Sequence, residues 1–564
     1  MNRLLALLLS AFISTALLMD SSQAQSTPAP GSAPVSQQNS DLVAGRAAFA
    51  AGKYDDAAAR FRAVLAKEPG SVAAQVALVR TLLSQEKLQE AVDLAGKYLA
   101  ATPNAAPLHT SMAEVHFRRA EMSAAESDFR SAIRLDPTDT QAYLGLAKLV
   151  GALGYHGKAY QLLVTARDLA PDDPDVQRQW IRFLPRSSRI PAMEKLLAEN
   201  KDGQSDLTGL REYLAFLKGA TADRKTHPCS LAKPVERTQT DLTPLLLDAQ
   251  RLRGWGLNVK LNDHVSKFLL DTGASGIYMG RKQAEKAGVA RIYDEHASGI
   301  GDQGQVTGYY GYVDRLQVGE LEFHDCIVEV SDKKSIVEEE GLIGADVFSN
   351  YIVNLDFRER RMRLEPLPKR PGDAEVAKSL NSEGDDAAIS DASAAAENKS
   401  EDAPAIINIR TYIPRHPPQD RYRAPEMKEW SAVYRFGHEL LLPTRINDLN
   451  NKLFLIDTGA FNTTFSTTLA VELGKMHRDY DTEVRGISGK VAKIYSTKDA
   501  DMVFGHLKQR VEDPVTFDLS SISRDAGTEV SGIIGFRVLN LMDVQIDYRD
   551  NLVNFEYDPM KLGP

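Results

Sequence analysis

The tripeptide Asp-Thr-Gly occurs twice in this chain, and each copy closes the same kind of apolar run. The copies are Phe268-Leu269-Leu270-Asp271-Thr272-Gly273-Ala274 and Phe454-Leu455-Ile456-Asp457-Thr458-Gly459-Ala460. A lone copy arises by chance in roughly one chain in ten of this length. Two copies in matched settings constrain the fold far more. They imply two equivalent units, each ending an apolar strand on a carboxylate, with the two carboxylates brought together for one task.

The matching extends on both sides. Upstream lie Val259-Lys260-Leu261-Asn262-Asp263 and Thr444-Arg445-Ile446-Asn447-Asp448, each an alternating strand followed by an Asn-Asp turn. Downstream come Gly299-Ile300-Gly301 and Gly486-Ile487-Ser488-Gly489, which begin 28 and 29 residues past their aspartates. Clustered glycines between strands suit a hairpin tip, and neither copy has the strand-to-helix setting of a nucleotide loop. The closing blocks, Gly341-Leu342-Ile343-Gly344 to Arg358 and Gly532-Ile533-Ile534-Gly535 to Arg549, align without a gap. Asp356 and Asp547, which end the last strands of these blocks, read as turn residues.

Taken in that order, Asp-Thr-Gly-Ala, a glycine-tipped flap and an apolar-apolar-Gly segment make each unit resemble a retropepsin-type aspartic protease lobe. The resemblance implies two all-β lobes related by a pseudo-two-fold axis, with Asp271 and Asp457 as a catalytic dyad. Two carboxyls held close cannot both ionise, so one serves as base towards water and the other as acid towards a peptide carbonyl. It further implies that Thr272 and Thr458 bond across the axis. With Gly273, Ala274, Gly459 and Ala460 they form the active-site loops. Gly273 and Gly459 are expected to permit the tight turn that points each carboxylate inward. Gly344 and Gly535 would let the closing segments pass behind those loops. Gly299, Gly301, Gly486 and Gly489 would tip two working flaps that close over a polypeptide substrate. One departure stands out: Ser275-Gly276 in the first lobe is matched by Phe461-Asn462 in the second.

Ahead of the lobes the sequence is Ala- and Leu-rich with helical periodicity, and it repeats. Pro69, Pro103, Pro137 and Pro171 are spaced by 34 residues, and Ala57, Ala91, Ala125 and Ala159 keep the same step. So do Gly45, Val79, Ala113 and Ala147, and also Phe61, Ala95, Phe129 and Leu163. This segment resembles the tetratricopeptide repeat, an all-α solenoid of helix pairs. The resemblance implies a concave surface for a protein or peptide partner, with a simple spacer as the alternative.

At 564 residues the chain exceeds one core. The expected division is a signal peptide over 1–24, a disordered linker over 25–40 and four repeats over 41–185. A helical junction over 186–242, a first lobe over 243–368, an acidic disordered linker over 369–425 and a second lobe over 426–560 follow. Arg3, the apolar stretch Leu4–Met19 and Ser22-Gln23-Ala24 have the pattern of an export signal, so a periplasmic or secreted location is expected. The net charge of −10 argues against nucleic acid as a partner. Residues 372–404 hold nine acids against two lysines, so the linker carries much of that charge. Two cysteines, Cys229 and Cys326, are open to bridging, with free thiols the leaning. No metal or organic cofactor is implied. Lobe pairing within one chain or between chains is open, with pairing within the chain favoured. The composite reading is an exported aspartic endopeptidase. A peptide-binding scaffold without catalysis and a self-processing protease are its alternatives.

Overall fold

A computed structural model describes residues 35–184, 186–199, 207–221, 229–246, 251–297, 306–331, 340–371, 418–474, 476–486 and 489–557. The expected signal peptide, residues 372–417 of the linker and the flap glycines Gly299 and Gly301 lie outside this set.

The front of the chain is four antiparallel helix pairs: Val35–Ala50 with Tyr54–Lys67, Val72–Ser84 with Leu88–Ala101, Ala106–Arg118 with Met122–Leu135, and Thr140–Ala152 with His156–Leu169. Ala57, Ala91, Ala125 and Ala159 are all buried, which lets the helices of a pair approach closely. Phe61 fills the space above Gly45, where an added Cβ would lie 2.6 Å from its ring. The turn inside each pair needs a left-handed residue. Gly52, Glu86, Ala120 and Gly154 supply it at φ 71°, 60°, 60° and 85°, one per repeat and 34 residues apart. The first helix begins at Val35, inside the span expected to be a disordered linker. Three further helices, Pro174–Ile181, Arg186–Glu199 and Thr208–Thr221, extend the array.

The β-rich part begins earlier than the expected boundary at 243. Ser230–Leu231 pairs with Phe323–His324, and Thr238–Asp241 pairs with Arg361–Leu364. Both segments are too short and polar to announce themselves by alternation; their partners supply the strand. A Cys229–Cys326 disulfide pins the first of them, which corrects the leaning towards free thiols.

Each lobe threads its closing strand between two others. Gly341–Gly344 runs parallel to the strand ending at Asp271 and antiparallel to Ile277–Gly280. Gly532–Ile534 runs parallel to the strand Leu449–Ile456 and antiparallel to Thr464–Ser466. The last strands of both lobes then join one sheet. Tyr351–Asp356 pairs antiparallel with Asp543–Asp547, from Ile352 opposite Asp547 to Asp356 opposite Asp543. The two lobes therefore pair within one chain. Asp356 accepts from the Glu359 N–H and Asp547 from the Asp550 N–H, both at 2.9 Å, so both aspartates hold turns.

The repeats are docked on the second lobe through their intra-pair turns. Thr528 Oγ1 donates to the Phe117 carbonyl at 2.6 Å, the Glu529 N–H to that of Arg118 at 2.9 Å, and Asn551 Nδ2 to that of Ala152 at 3.0 Å. Arg524 forms an ion pair with Glu86. One apolar core runs through this junction, from Phe117, Leu146 and Trp180 to Leu453, Leu455, Phe517 and Ile533. Residues 418–425, expected to be disordered linker, are held in the same junction. The Arg421 N–H donates to the Gly154 carbonyl at 2.8 Å, and the Tyr422 N–H donates to Asp550 at 2.7 Å.

Candidate active site

Asp271 ends the strand His264–Asp271, and Asp457 follows directly on Leu449–Ile456. The parallel closing strand buttresses each: Gly344 lies opposite Asp271, and the Asp457 N–H donates to the Ile534 carbonyl at 3.1 Å. The pseudo-two-fold axis passes between the loops. The Thr272 N–H donates to Thr458 Oγ1 at 3.0 Å, and Thr272 Oγ1 donates to the Ile456 carbonyl at 2.8 Å. Thr458 returns the pattern, its N–H to Thr272 Oγ1 at 3.0 Å and its Oγ1 to the Leu270 carbonyl at 2.8 Å. Both threonines are buried, so these bonds have no competing water.

Gly273 and Gly459 serve a different purpose from the expected turn, because neither has a left-handed φ. Each lies under the opposite carboxyl. A Cβ on Gly273 would sit 2.7 Å from Asp457 Cγ, and a Cβ on Gly459 would collide with the Asp271 carboxyl. The absent side chains are what allow the two acids to meet. Behind the loops a Cβ on Gly344 would lie 2.6 Å from the Ala274 carbonyl oxygen. The Phe536 N–H donates to the Ala460 carbonyl at 2.7 Å.

The two carboxyls are not equivalent. Asp271 accepts one backbone N–H, from Gly273 at 2.8 Å. Asp457 accepts two, from Gly459 at 2.8 Å and Ala460 at 2.9 Å. Burial, and then the neighbouring Asp457, push Asp271 well above the ordinary carboxylate range. Burial raises Asp457 too, while its extra donor and the bond from Asp271 oppose the rise. The pair titrates as a unit, and the extra backbone donor at Asp457 favours negative charge on that side.

Each lobe carries a hairpin at the expected flap position. In the first lobe the strands Ala290–Ala297 and Val306–Val318 form a long hairpin, whose tip with Gly299 and Gly301 lies outside the described residues. Helix Thr208–Thr221 packs on its base, with the Phe216 and Tyr310 rings 4.7 Å apart. In the second lobe the hairpin is held at its base by His477–Asp479 against Ile494–Ser496 and near its tip by Arg485–Gly486 against Gly489–Lys490, with Gly486 opposite Gly489.

The Ser275/Phe461 departure has a structural counterpart in the closing segments. Ser275 Oγ donates to Asp346 at 2.7 Å, and the Gly276 N–H donates to the same carboxylate at 2.9 Å. In the second lobe Phe461 stacks on Phe536 with centroids 6.4 Å apart, and Arg537 replaces the aspartate. Sequence reasoning missed Asp346, His438 and Arg253. His438 of the second lobe reaches towards the Gly273 backbone of the first, and burial lowers its pKa. Arg253 exerts its positive charge on both dyad carboxyls. Comparing Asp346 with Arg537 between the aligned closing blocks was the available signal; for the other two there was none. Among the described residues no three side chains gather to hold a metal ion.

Comparison with known proteins finds likenesses to the first lobe and to the repeats. Residues 257–350 match the gag-polyprotein aspartyl protease family, and residues 48–115 match the tetratricopeptide repeat family. DNA damage-inducible protein 1 of Kluyveromyces lactis is 27% identical over 111 residues, which cover 20% of this chain and 26% of that protein. The match thus spans about a quarter of that relative's length. Among solved structures, a thermophilic TPR protein of Thermus thermophilus is 24% identical, covering 32% of this chain and 97% of its own, with a TM-score of 0.26. The MamA protein is 17% identical, covering 34% of this chain and 96% of its own, with a TM-score of 0.20.

Proposed function

From a chain that joins tetratricopeptide repeats to retropepsin-like aspartyl protease lobes, we propose an aspartic endopeptidase whose dyad is Asp271 and Asp457. The observation that carries this reading is the reciprocal packing of each carboxyl over the glycine that follows the other. Two largely desolvated acids, one buried and one half-buried, with interlocked loops have no structural use that would offset their desolvation. They suit proton exchange with a bound peptide.

In the proposed reaction, ionised Asp457 takes a proton from a water whose oxygen attacks the scissile carbonyl carbon. Protonated Asp271 gives its proton to the carbonyl oxygen, producing a neutral tetrahedral diol. Collapse of the diol breaks the C–N bond. The proton held by Asp457 passes to the leaving nitrogen, and a diol hydroxyl proton returns to Asp271. The Thr272–Thr458 bonds keep the acids in register throughout, and the first-lobe hairpin closes over the peptide.

We further propose export to an oxidising compartment, supported by the N-terminal pattern and by the Cys229–Cys326 bridge. The repeats brace the second lobe and offer their remaining faces to a protein partner. The test is cleavage of a diverse peptide pool from pH 3 to 7 by the full chain, beside Asp271→Asn and Asp457→Asn. Cleavage by the parent and none by either variant is expected. A variant with full activity would falsify the dyad, and a parent that cuts nothing would leave the peptide-binding scaffold as the reading.

A further inference from the structure

Strand Leu252–Leu261 carries an arginine at a point where the ladder is irregular. Leu246 of the neighbouring strand pairs with Leu252 and Leu245 pairs with Gly254, so Arg253 is the extra residue of a β-bulge. A bulge bends its strand and re-aims the side chain it carries. Arg253 is half-buried, and its Nη1 is fully buried with no hydrogen-bond partner. It has no ion pair among the described residues.

The pseudo-two-fold relation accounts for the missing partner. Gly256 pairs with Leu269, and Leu441 pairs with Leu455, each two residues before its aspartate. Counting back equally from each, Arg253 and His438 occupy the same position in their lobes. His438 reaches across the axis towards the Gly273 backbone and feels the negative charge of Asp346. Across the axis from Arg253 the same places hold Phe461 for Ser275 and Arg537 for Asp346. An apolar ring and a second cation stand where the other end of the cleft has a hydroxyl and a carboxylate. A part-buried guanidinium with no acceptor is costly unless an incoming group completes it.

Resting on the peptidase reading above, we propose that Arg253 reads an acidic side chain of the substrate. The Phe461 end of the cleft accepts an Asp or Glu near the scissile bond, its carboxylate held by the planar guanidinium fork. Substrates are then peptides with an acidic residue on one side of the cut, and Arg253 is a specificity-determining residue.

The experiment uses peptide pairs that differ only by Glu or Gln at each position flanking the bond, with the full-length parent, Arg253→Met and Arg253→Lys. At one flanking position the parent is expected to cut the Glu peptide about tenfold faster in kcat/KM than its Gln partner. Arg253→Met cuts both at the Gln rate, and Arg253→Lys keeps part of the preference. Equal parent rates at every position, or a Glu preference that survives Arg253→Met, overturn the proposal. Calorimetric binding of the same pairs to uncut Asp271→Asn separates the two readings. A Glu preference in Kd supports Arg253 even where no peptide is cut, in which case only the peptidase reading fails. Equal or undetectable binding of both members overturns the role of Arg253. Melting curves of the variants establish that each is folded.

Discussion

Alanine at Gly273 or Gly459 should disable the dyad by steric displacement. An ideal Cβ on Gly273 lies 2.7 Å from Asp457 Cγ and 3.0 Å from both of its carboxyl oxygens. Non-bonded carbons settle at about 3.5–4.0 Å, so the opposing carboxyl must retreat by roughly 1 Å. A displacement of that size in a reacting group costs on the order of a hundredfold in rate. Overpacking a well-filled site adds about 1–3 kcal/mol of destabilisation. Neither glycine has a left-handed φ, so backbone strain contributes nothing and the whole effect runs through the carboxyl. Gly459→Ala meets the Asp271 carboxyl still more tightly and should be the more severe. Steady-state kinetics and melting curves on both variants read the outcome, with kcat falling about a hundredfold and KM little changed. Gly288→Ala is the control. Its φ is 65° with nothing within 4 Å of an added Cβ, so it should lower the melting temperature and spare kcat. If Gly459→Ala keeps kcat within about twofold of the parent at an unchanged melting temperature, the reciprocal packing is not what sets the dyad geometry.

Two further outcomes follow from groups outside the dyad. Glu439 is buried and is pushed up to about 8, first by burial and then by Asp525. Because its folded pKa is raised, its contribution is fully present below its unfolded value of about 4.3 and is lost as pH rises through 8. Glu439→Gln should therefore raise the melting temperature relative to the parent at pH 8 and change it little at pH 4; a difference that is flat across this range sinks the assignment. Asn551 sits at φ 52° in a turn and ties the second lobe to the Ala152 carbonyl. Asn551→Ala should cost about 1–3 kcal/mol through the unmade buried bond and the left-handed backbone. Denaturant unfolding of the full chain checks this, and a cost below about 0.5 kcal/mol would show that the bond does not matter to the junction.

Local patterns were legible because they reflect covalent and helical geometry. The 34-residue step shows in small residues wherever two helices of a pair touch. It was invisible at the left-handed turns, since Glu86 and Ala120 stand there in place of glycine. Ser230–Leu231 and Thr238–Asp241 were unreadable as strands, because a strand of two to four residues exists only through its partner. Asp271 and Asp457 were legible as a pair, yet the reason for the glycine after each was not. That glycine makes room for a carboxyl of the other lobe, across the same axis that the threonine bonds span.

By itself the sequence determined two equivalent β lobes behind a helical solenoid, because each of these is written in short-range periodicity and in a duplicated motif. Only the tertiary structure decided that the lobes close on each other within one chain, that the repeats are built into the second lobe, and that Cys229 meets Cys326. It also decided that Arg253 Nη1 is buried without a hydrogen-bond partner among the described residues, while its counterpart His438 reaches towards the Gly273 backbone. These are relations between residues far apart in the chain, and burial, charge pairing and close approach come into being only when folding brings such residues together.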